Sequence, residues 1–291
     1  MQDALAQYLF TGHAVRAALV DVCSGLADML GHRAYAPGVR QVLGEALAAA
    51  PLLASHLKFE GRINLQYQGG DVMSLLVVQI DDQLTLRGMA KARDGADGDF
   101  SALVAGGRLS VLLEPKNGST RYEGIVPLEG TSLARSLETY YAQSEQLPTR
   151  LCLAAGPDHL RGLLLQRLPA TAAMDTGDED LYWEHVEALF ATLGVQELLD
   201  VAPEDVIHRL FHAEALTRFE PRPVTLACRC TRASVSQLLL ALGQQEVDSV
   251  VTERGGVEVT CEFCGRVQHY SPLDVRQLFA AEQAADTGAR H

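Results

Sequence analysis

Four of the six cysteines stand in two close pairs. Cys228-Arg229-Cys230 is followed, after thirty residues, by Cys261-Glu262-Phe263-Cys264. A C-x-C…C-x-x-C pattern offers two thiolates from each of two loops, the supply that a tetrahedral zinc takes at about 2.3 Å per sulfur. In a reducing compartment clustered cysteines are metal ligands or redox groups more often than structural bridges. The spacing therefore assigns Cys228, Cys230, Cys261 and Cys264 to one zinc per chain. The C-x-C half adds a second chemistry. Cysteines two apart close a small strained disulfide, and strained disulfides are the labile ones. Arg229, Arg232 and Arg266 neighbour the thiols in sequence and favour the thiolate, the form that binds metal and meets oxidant. Zinc contributes on the order of 10 kcal/mol to the folding of such modules. Oxidising its ligands would expel the metal and unfold the module. Spacing alone leaves a switch and a permanent structural site both open.

Other candidates are weaker. His208 and His212 are spaced i, i+4 on an expected helix, but no third ligand stands near them in sequence. His269 follows Cys264 by five and reads as peripheral to a site that already has four thiolates. Cys23 and Cys152 lie alone in apolar stretches and read as small buried core residues. The chain has no Gly-x-Ser-x-Gly, phosphate-binding loop or dinucleotide fingerprint, and no nucleophile–base pair can be argued from spacing.

Two loops must be brought together for the cysteines to act as one site. Residues 234–242 read as a helix with Ser234 as its N-cap. Residues 248–251 and 257–260 read as strands around Gly255-Gly256, which returns the second pair to the first. Upstream, residues 9–22 hold two apolar segments broken by Thr11-Gly12, suited to paired strands. From 38 to 57 the apolar residues recur with helical period, with Pro51 expected to kink or restart the helix. The period then falls to two at Ile63, Leu65 and Tyr67, and residues 73–80 and 83–89 continue as strands. Asn117-Gly118 marks a hairpin between 112–114 and 122–126. Residues 131–142 read as a helix, and 151–154 and 163–168 as further strands. Hairpins mixed with helices favour an α+β core domain over a βαβ wind.

The division that follows is a core domain at 1–170, an all-helical acidic linker at 171–220, a small zinc-binding module at 221–275 and a tail at 276–291, frayed from Ala280. The linker holds twelve carboxylates and only Arg209 and Arg218, ten of the chain's thirteen excess negative charges. Residues 176–180 read as a run into helices at 181–193 and 203–211, the latter with Pro203 in its first turn. Such a segment is either a small solvated subdomain or a marginal one whose folding depends on a neighbour. At 291 residues and 47% hydrophobic composition the chain can bury a sizeable core. Its net charge of −13 disfavours nucleic acid. The longest apolar runs, such as 75–78, fall far short of the ~20 residues that span a bilayer, and no basic-then-apolar leader opens the sequence. The expectation is a soluble cytoplasmic protein with no membrane partner.

The C-terminal cysteine module resembles that of the redox-regulated heat-shock holdase chaperones, the 33 kDa chaperonin family. The likeness extends upstream to Tyr140-Tyr141-Ala142-Gln143-Ser144-Glu145-Gln146-Leu147-Pro148-Thr149-Arg150 and to Arg121-Tyr122-Glu123-Gly124-Ile125-Val126-Pro127-Leu128-Glu129-Gly130. Leu57-Lys58-Phe59-Glu60-Gly61 and Glu246-Val247-Asp248-Ser249 fit as well, so the resemblance spans nearly the whole chain. It implies a cytoplasmic, ATP-independent holdase and not an enzyme. It implies a reduced, zinc-bound form that is inactive. On oxidation, disulfides Cys228–Cys230 and Cys261–Cys264 would form, zinc would leave, and the module and linker would unfold. The active form, commonly a homodimer, would hold unfolded or oxidatively damaged client proteins. No residue is assigned to client binding.

Two other classes fit parts of the pattern. One is a constitutive zinc-ribbon adaptor for nucleic acid or protein, disfavoured for nucleic acid by the acidic charge. The other is a thiol–disulfide oxidoreductase using Cys261-Glu262-Phe263-Cys264, but a catalytic C-x-x-C sits at a helix start, whereas this one follows an expected strand.

Overall fold

A computed structural model of the chain describes residues 2–55, 60–117, 120–128, 131–169 and 176–288, with side chains to residue 282. Leu57, Lys58, Phe59, Gly118, Glu129, Gly130 and the first residues of the expected linker, 171–175, lie outside the described residues. The chain divides into two compact units, Met1–Ala227 and Cys228–His291.

The first unit opens on a hairpin, β1 (Ala4–Phe10) and β2 (Val15–Val22), as the break at Thr11-Gly12 predicts. A short helix α1 (Leu26–Leu30) leads to α2 (Pro37–Ala54). Strands β3 (Gly61–Gln68), β4 (Met73–Asp81) and β5 (Thr85–Ala92) follow, then helix α3 (Phe100–Leu103). Strands β6 (Arg108–Pro115) and β7 (Tyr122–Val126) form the expected antiparallel pair. Helix α4 (Leu133–Tyr140) is capped by Ser132, whose Oγ accepts from Arg135 N–H, and runs into a π-helical turn at Tyr141–Glu145. Strands β8 (Thr149–Ala155) and β9 (Leu160–Arg167) complete the apolar hairpins. Helices α5 (Thr176–Phe190), α6 (Val195–Asp200) and α7 (Pro203–Phe211) make up the acidic segment. Three short strands close the unit: β10 (Leu216–Arg218), β11 (Arg222–Pro223) and β12 (Thr225–Leu226).

These strands form two six-stranded sheets. One runs β10-β1-β2-β9-β8, with β11 also pairing β1, and the other runs β12-β5-β4-β3-β6-β7. Helix α2 packs against strands of both sheets, which is why thirteen of its eighteen residues are buried and most are Ala or Leu. It passes through Pro51 as one element rather than restarting. Gly44 lets the helix approach the first sheet: a Cβ there would stand 2.5 Å from the Ala155 Cβ and 3.0 Å from Leu160 Cδ2.

The other face of the first sheet is covered by α5–α7. Ala6, Tyr8 and Phe10 alternate along β1 on that face, as the period of two requires. They pack with Trp183, Val186 and Phe190 of α5, Leu198 of α6, and Val206, Ile207, Leu210 and Phe211 of α7. Phe211 meets Phe10 edge-on, with centroids 5.1 Å apart and planes at 82°. Strand β9 (LRGLLLQR) is buried from Leu160 to Gln166, as a strand covered on both faces is, with Leu163, Leu164 and Leu165 as its apolar run and the polar Arg161 and Gln166 buried beside them. Helix α5 begins at Thr176, inside the stretch expected as a run-in, with Asp178 and Glu179 in its first turn. Carboxylates there suit the positive end of the helix dipole. Glu179 is 4% exposed and accepts from Ala14 N–H at 2.8 Å, with His13 Nδ1 at 2.9 Å. His13 in turn stacks on Tyr182 at 3.4 Å.

The second unit holds α8 (Arg232–Leu242), α9 (Gln244–Arg254), the hairpin β13 (Val257–Thr260) and β14 (Val267–Tyr270), and α10 (Pro272–Gly288). Its core gathers Val235, Leu239, Val247, Val257, Tyr270, Val275 and Phe279. Three expectations are corrected here. Residues 248–251 are helix, not strand: Val247, Val250 and Val251 fall at i, i+3, i+4 and turn one face to that core. The N-cap of α8 is Thr231, whose Oγ1 accepts from Ser234 N–H at 3.1 Å, while Ser234 Oγ donates to Thr231 C=O at 2.8 Å. Helix α10 carries Phe279 into the core and continues to Gly288, past the expected point of fraying at Ala280.

Candidate metal centre

The two cysteine pairs reach the site by different routes. Cys228 and Cys230 sit on the irregular stretch that leads to the Thr231 cap of α8, with a tight turn at Cys230 where Thr231 N–H donates to Arg229 C=O at 2.9 Å. Cys261 and Cys264 sit on the turn between β13 and β14. That turn is tied by Cys261 N–H to Arg266 C=O at 2.9 Å and by Gly265 N–H to Cys261 C=O at 2.8 Å. Gly265 takes φ +65°, a left-handed conformation that costs a glycine nothing. Gln268 of β14 reaches across and donates from Nε2 to Cys230 C=O at 2.8 Å, fixing one loop to the other. Spacing gave no sign of that glutamine's role.

Sγ of Cys228 is 3.5 Å from that of Cys261, and Sγ of Cys230 is 3.3 Å from that of Cys264. All four sulfurs lie within 4.8 Å of one another, and among the described residues this is the one group of three or more such side chains that could hold a metal ion. A tetrahedron with arms of about 2.3 Å has edges of about 3.8 Å, so the four donors fit a tetrahedral thiolate-binding metal. All four are free thiols and half-buried.

Their acidities diverge. Burial works to raise the Cys228 thiol, but Cys230 N–H and the neighbouring thiols hydrogen-bond its sulfur and hold it down at about 7. Burial and the neighbouring thiols push Cys230 well above the ordinary thiol range, and burial raises Cys264. Four sulfurs this close accommodate one thiolate readily and further ones only when a cation shares the site.

Of the three arginines expected beside the thiols, Arg232 turns elsewhere. Arg232 donates to His269 C=O at 3.0 Å, pairs with Asp274 at 3.3 Å and lies 4.3 Å over the Tyr270 ring. It braces β14 and α10 instead of facing the thiols. His269 is peripheral, as expected: its ring is exposed and stands 3.4 Å from Glu258 across the hairpin. His208 and His212 stack at 6.0 Å on the exposed side of α7 and gather no third ligand among the described residues. Cys152 is buried in the cluster beneath α5–α7, and burial pushes its thiol up to about 11. Cys23 departs from the expected apolar burial. It is half-exposed, accepts from Gln2 Nε2 at 2.8 Å and lies 3.7 Å from Asp3 Oδ2. The sequence stretch is apolar, but the residues folded around it are not.

Among the described residues no helix is long and apolar enough to cross a membrane. Residues 3–271 match the model of a family described as Hsp33 protein. The chain is 40% identical to the 33 kDa chaperonin of Chromobacterium violaceum, covering 99% of this chain and 98% of that one. It is 38% identical to the 33 kDa chaperonin of Nitrosococcus oceani, over 100% and 99% of the two chains. The crystal structure of the 33 kDa chaperonin from Thermotoga maritima superposes with a TM-score of 0.78 at 23% identity, covering 97% of this chain and 99% of that one. An α+β core with a four-thiol module, on this likeness, defines a chaperone of the holdase class, which performs no catalysis. The chain belongs to the Hsp33 family of redox-regulated chaperones.

Proposed function

We propose that this chain is a cytoplasmic, ATP-independent holdase whose client binding is gated by the oxidation state of Cys228, Cys230, Cys261 and Cys264. The observation that carries the reading is the meeting of four thiols from two separate loops within 4.8 Å. When bound, zinc ties those loops together and contributes about 10–16 kcal/mol to the folding of the module. The module's own apolar core is small, seven buried side chains among the described residues of the unit, so its fold leans on the thiolates.

Oxidation removes that support. Cys228 with Cys230, and Cys261 with Cys264, each give up two electrons to one peroxide as an S–S bond forms and the O–O bond breaks. With the sulfurs starting as thiolates, the two protons that carry the peroxide oxygens away as two waters come from solvent. Four sulfurs engaged in two disulfides no longer supply four thiolates, and the metal departs. Residues 228–275 then unfold. The acidic helices at 176–211, which precede the module in sequence, act as the linker and follow, baring the apolar faces of α5–α7 and of the first sheet. Bared apolar surface flanked by carboxylates suits unfolded or oxidatively damaged clients, and the same surface supports a homodimer in the active form.

The test follows metal, thiols and client together. Peroxide or hypochlorous acid is added to reduced, zinc-loaded protein beside a thermally unfolding client. One zinc per chain should leave as four thiols disappear, and client aggregation should then fall. Cys228→Ser with Cys261→Ser should abolish stable zinc binding. Zinc that stays bound under oxidant, with aggregation unchanged, would make the site a constitutive structural one.

A further inference from the structure

The helical segment α5–α7 is held to the core by apolar packing and by polar contacts of unequal quality. Arg150–Glu187 and Arg167–Asp180 are ion pairs with solvent access, the latter to a carboxylate 62% exposed. Pairs of that kind hold little. Arg161 is different. It lies on β9, 7% exposed, directly across from Asp21 of β2, which is 2% exposed. Its Nε donates to Asp21 Oδ1 at 2.8 Å. Its Nη1 is within donating distance of three carbonyl oxygens: Leu198 at 3.1 Å, Leu199 at 2.9 Å and Val201 at 2.7 Å. These belong to the last turn of α6 and its end, where carbonyls have no partner within the helix. A guanidinium there meets both the orphan acceptors and the negative end of the helix.

We propose that Arg161 is the lock on the linker: its docking to the end of α6 sets how readily the α5–α7 segment leaves the core, through a contact that contains no cysteine. The inference rests on the reading above that this segment is the linker whose release activates the chaperone. An asymmetry gives the lock its leverage. When α6 leaves, Arg161 keeps Asp21 and exchanges three carbonyls for water, so the released state strands nothing. When Arg161 is removed, the docked state buries the α6 carbonyls without a donor and leaves the Asp21 carboxylate only the longer contact to His159 Nδ1 at 3.4 Å, and the docked state alone is penalised. The geometry also selects arginine. A lysine can keep the charge beside Asp21, but a compact ammonium cannot present one nitrogen to the carboxylate and another to the helix end. Release therefore has two separable controls, the thiol module and Arg161.

The experiment uses the full-length, reduced, zinc-loaded protein with Arg161→Met, Arg161→Lys, Asp21→Asn and, as a control, Arg209→Ala, whose exposed partner Glu197 lies within the same segment. Cys152, buried beneath that segment, serves as the reporter. Its iodoacetamide labelling is followed by peptide mapping, beside protease cleavage within 176–211. Arg161→Met should raise both rates at least tenfold with zinc retained and the four module thiols intact. Arg161→Lys and Asp21→Asn should raise them less, and Arg209→Ala less than twofold. The lock is overturned if Arg161→Lys and Asp21→Asn label Cys152 at the wild-type rate. It is equally overturned if labelling in every variant rises only as far as the whole core is destabilised, tracked by its thermal transition. If oxidised wild-type protein fails to protect clients, the holdase reading fails, while the labelling rates still decide the lock.

Discussion

Replacing Phe211 with alanine should loosen the acidic helices without loosening the core behind them. Phe211 is 2% exposed on α7 and packs edge-on against Phe10, which is 0% exposed on β1. Truncating a buried phenylalanine costs about 3–5 kcal/mol. The cost falls on the docked state, because a released α7 exposes the ring to water either way. At about 1.4 kcal/mol per power of ten, the opening equilibrium of α5–α7 should shift by roughly two to three and a half powers of ten. Native-state hydrogen exchange measures this directly. Amides of α5, α6 and α7 should lose about 3–5 kcal/mol of protection together, while those of β3, β4 and β6 in the second sheet keep theirs. Sub-global opening of a contiguous unit gives that pattern. Equal loss in every strand would show that helices and core open as one unit. Loss confined to α7 would show that the three helices do not leave together. Either result refutes the picture of a detachable segment.

Metal affinity should fall as pH is lowered. In the metal-free reduced protein Cys228 is held down at about 7 against an ordinary thiol near 9. A lowered acid contributes its stability fully above the unfolded value and loses it as pH falls through the folded one. Iodoacetamide labelling of metal-free protein should therefore separate two cases: a module still folded shows one thiol with a midpoint near pH 7 and Cys230 and Cys264 well above it, whereas a module unfolded by loss of zinc shows all four near the ordinary thiol value. Zinc titration should release protons and weaken from pH 8 to pH 6. Gly44→Ala should destabilise the first unit by about 1–3 kcal/mol in urea unfolding, since the new methyl stands 2.5 Å from Ala155 Cβ. An unchanged midpoint would mean that α2 can shift away from the sheet at no cost.

The metal centre was more legible in the sequence than the elements that position it. Cysteines carry their chemistry in their spacing, so the four ligand candidates stood out before any element was placed. Their loops were harder to place. Residues 248–251 read as strand because two adjacent valines favour it. The helical signal lay one turn wider, in Val247 with Val250 and Val251. At the start of α8, Thr231 and Ser234 are both competent caps, and only the backbone decides between them. Strands β10, β11 and β12 left no pattern: each is two or three residues long, rich in Thr, Arg and Pro. They are defined by the edges they join and not by any period of their own. Arg161 was invisible for a related reason. An arginine in an otherwise apolar strand is anomalous, but Asp21 and the end of α6, which explain it, lie far away in sequence. Cys23 shows the reverse error, an apolar stretch folded beside Asp3 and Gln2.

The late strands have a consequence for how the chain is made. β1 finds its outer neighbours only in β10 and β11, and β5 finds one of its own in β12. The ribosome delivers Phe10 long before Pro223. At about 5–20 residues per second the interval is about 10–40 s. Through that time the first strand of the nascent protein presents an unpaired row of amides and carbonyls, the kind of template that recruits other chains. A protein that belongs to a chaperone family thus passes through its own vulnerable infancy. Translation speed across the acidic helices becomes a determinant of its yield.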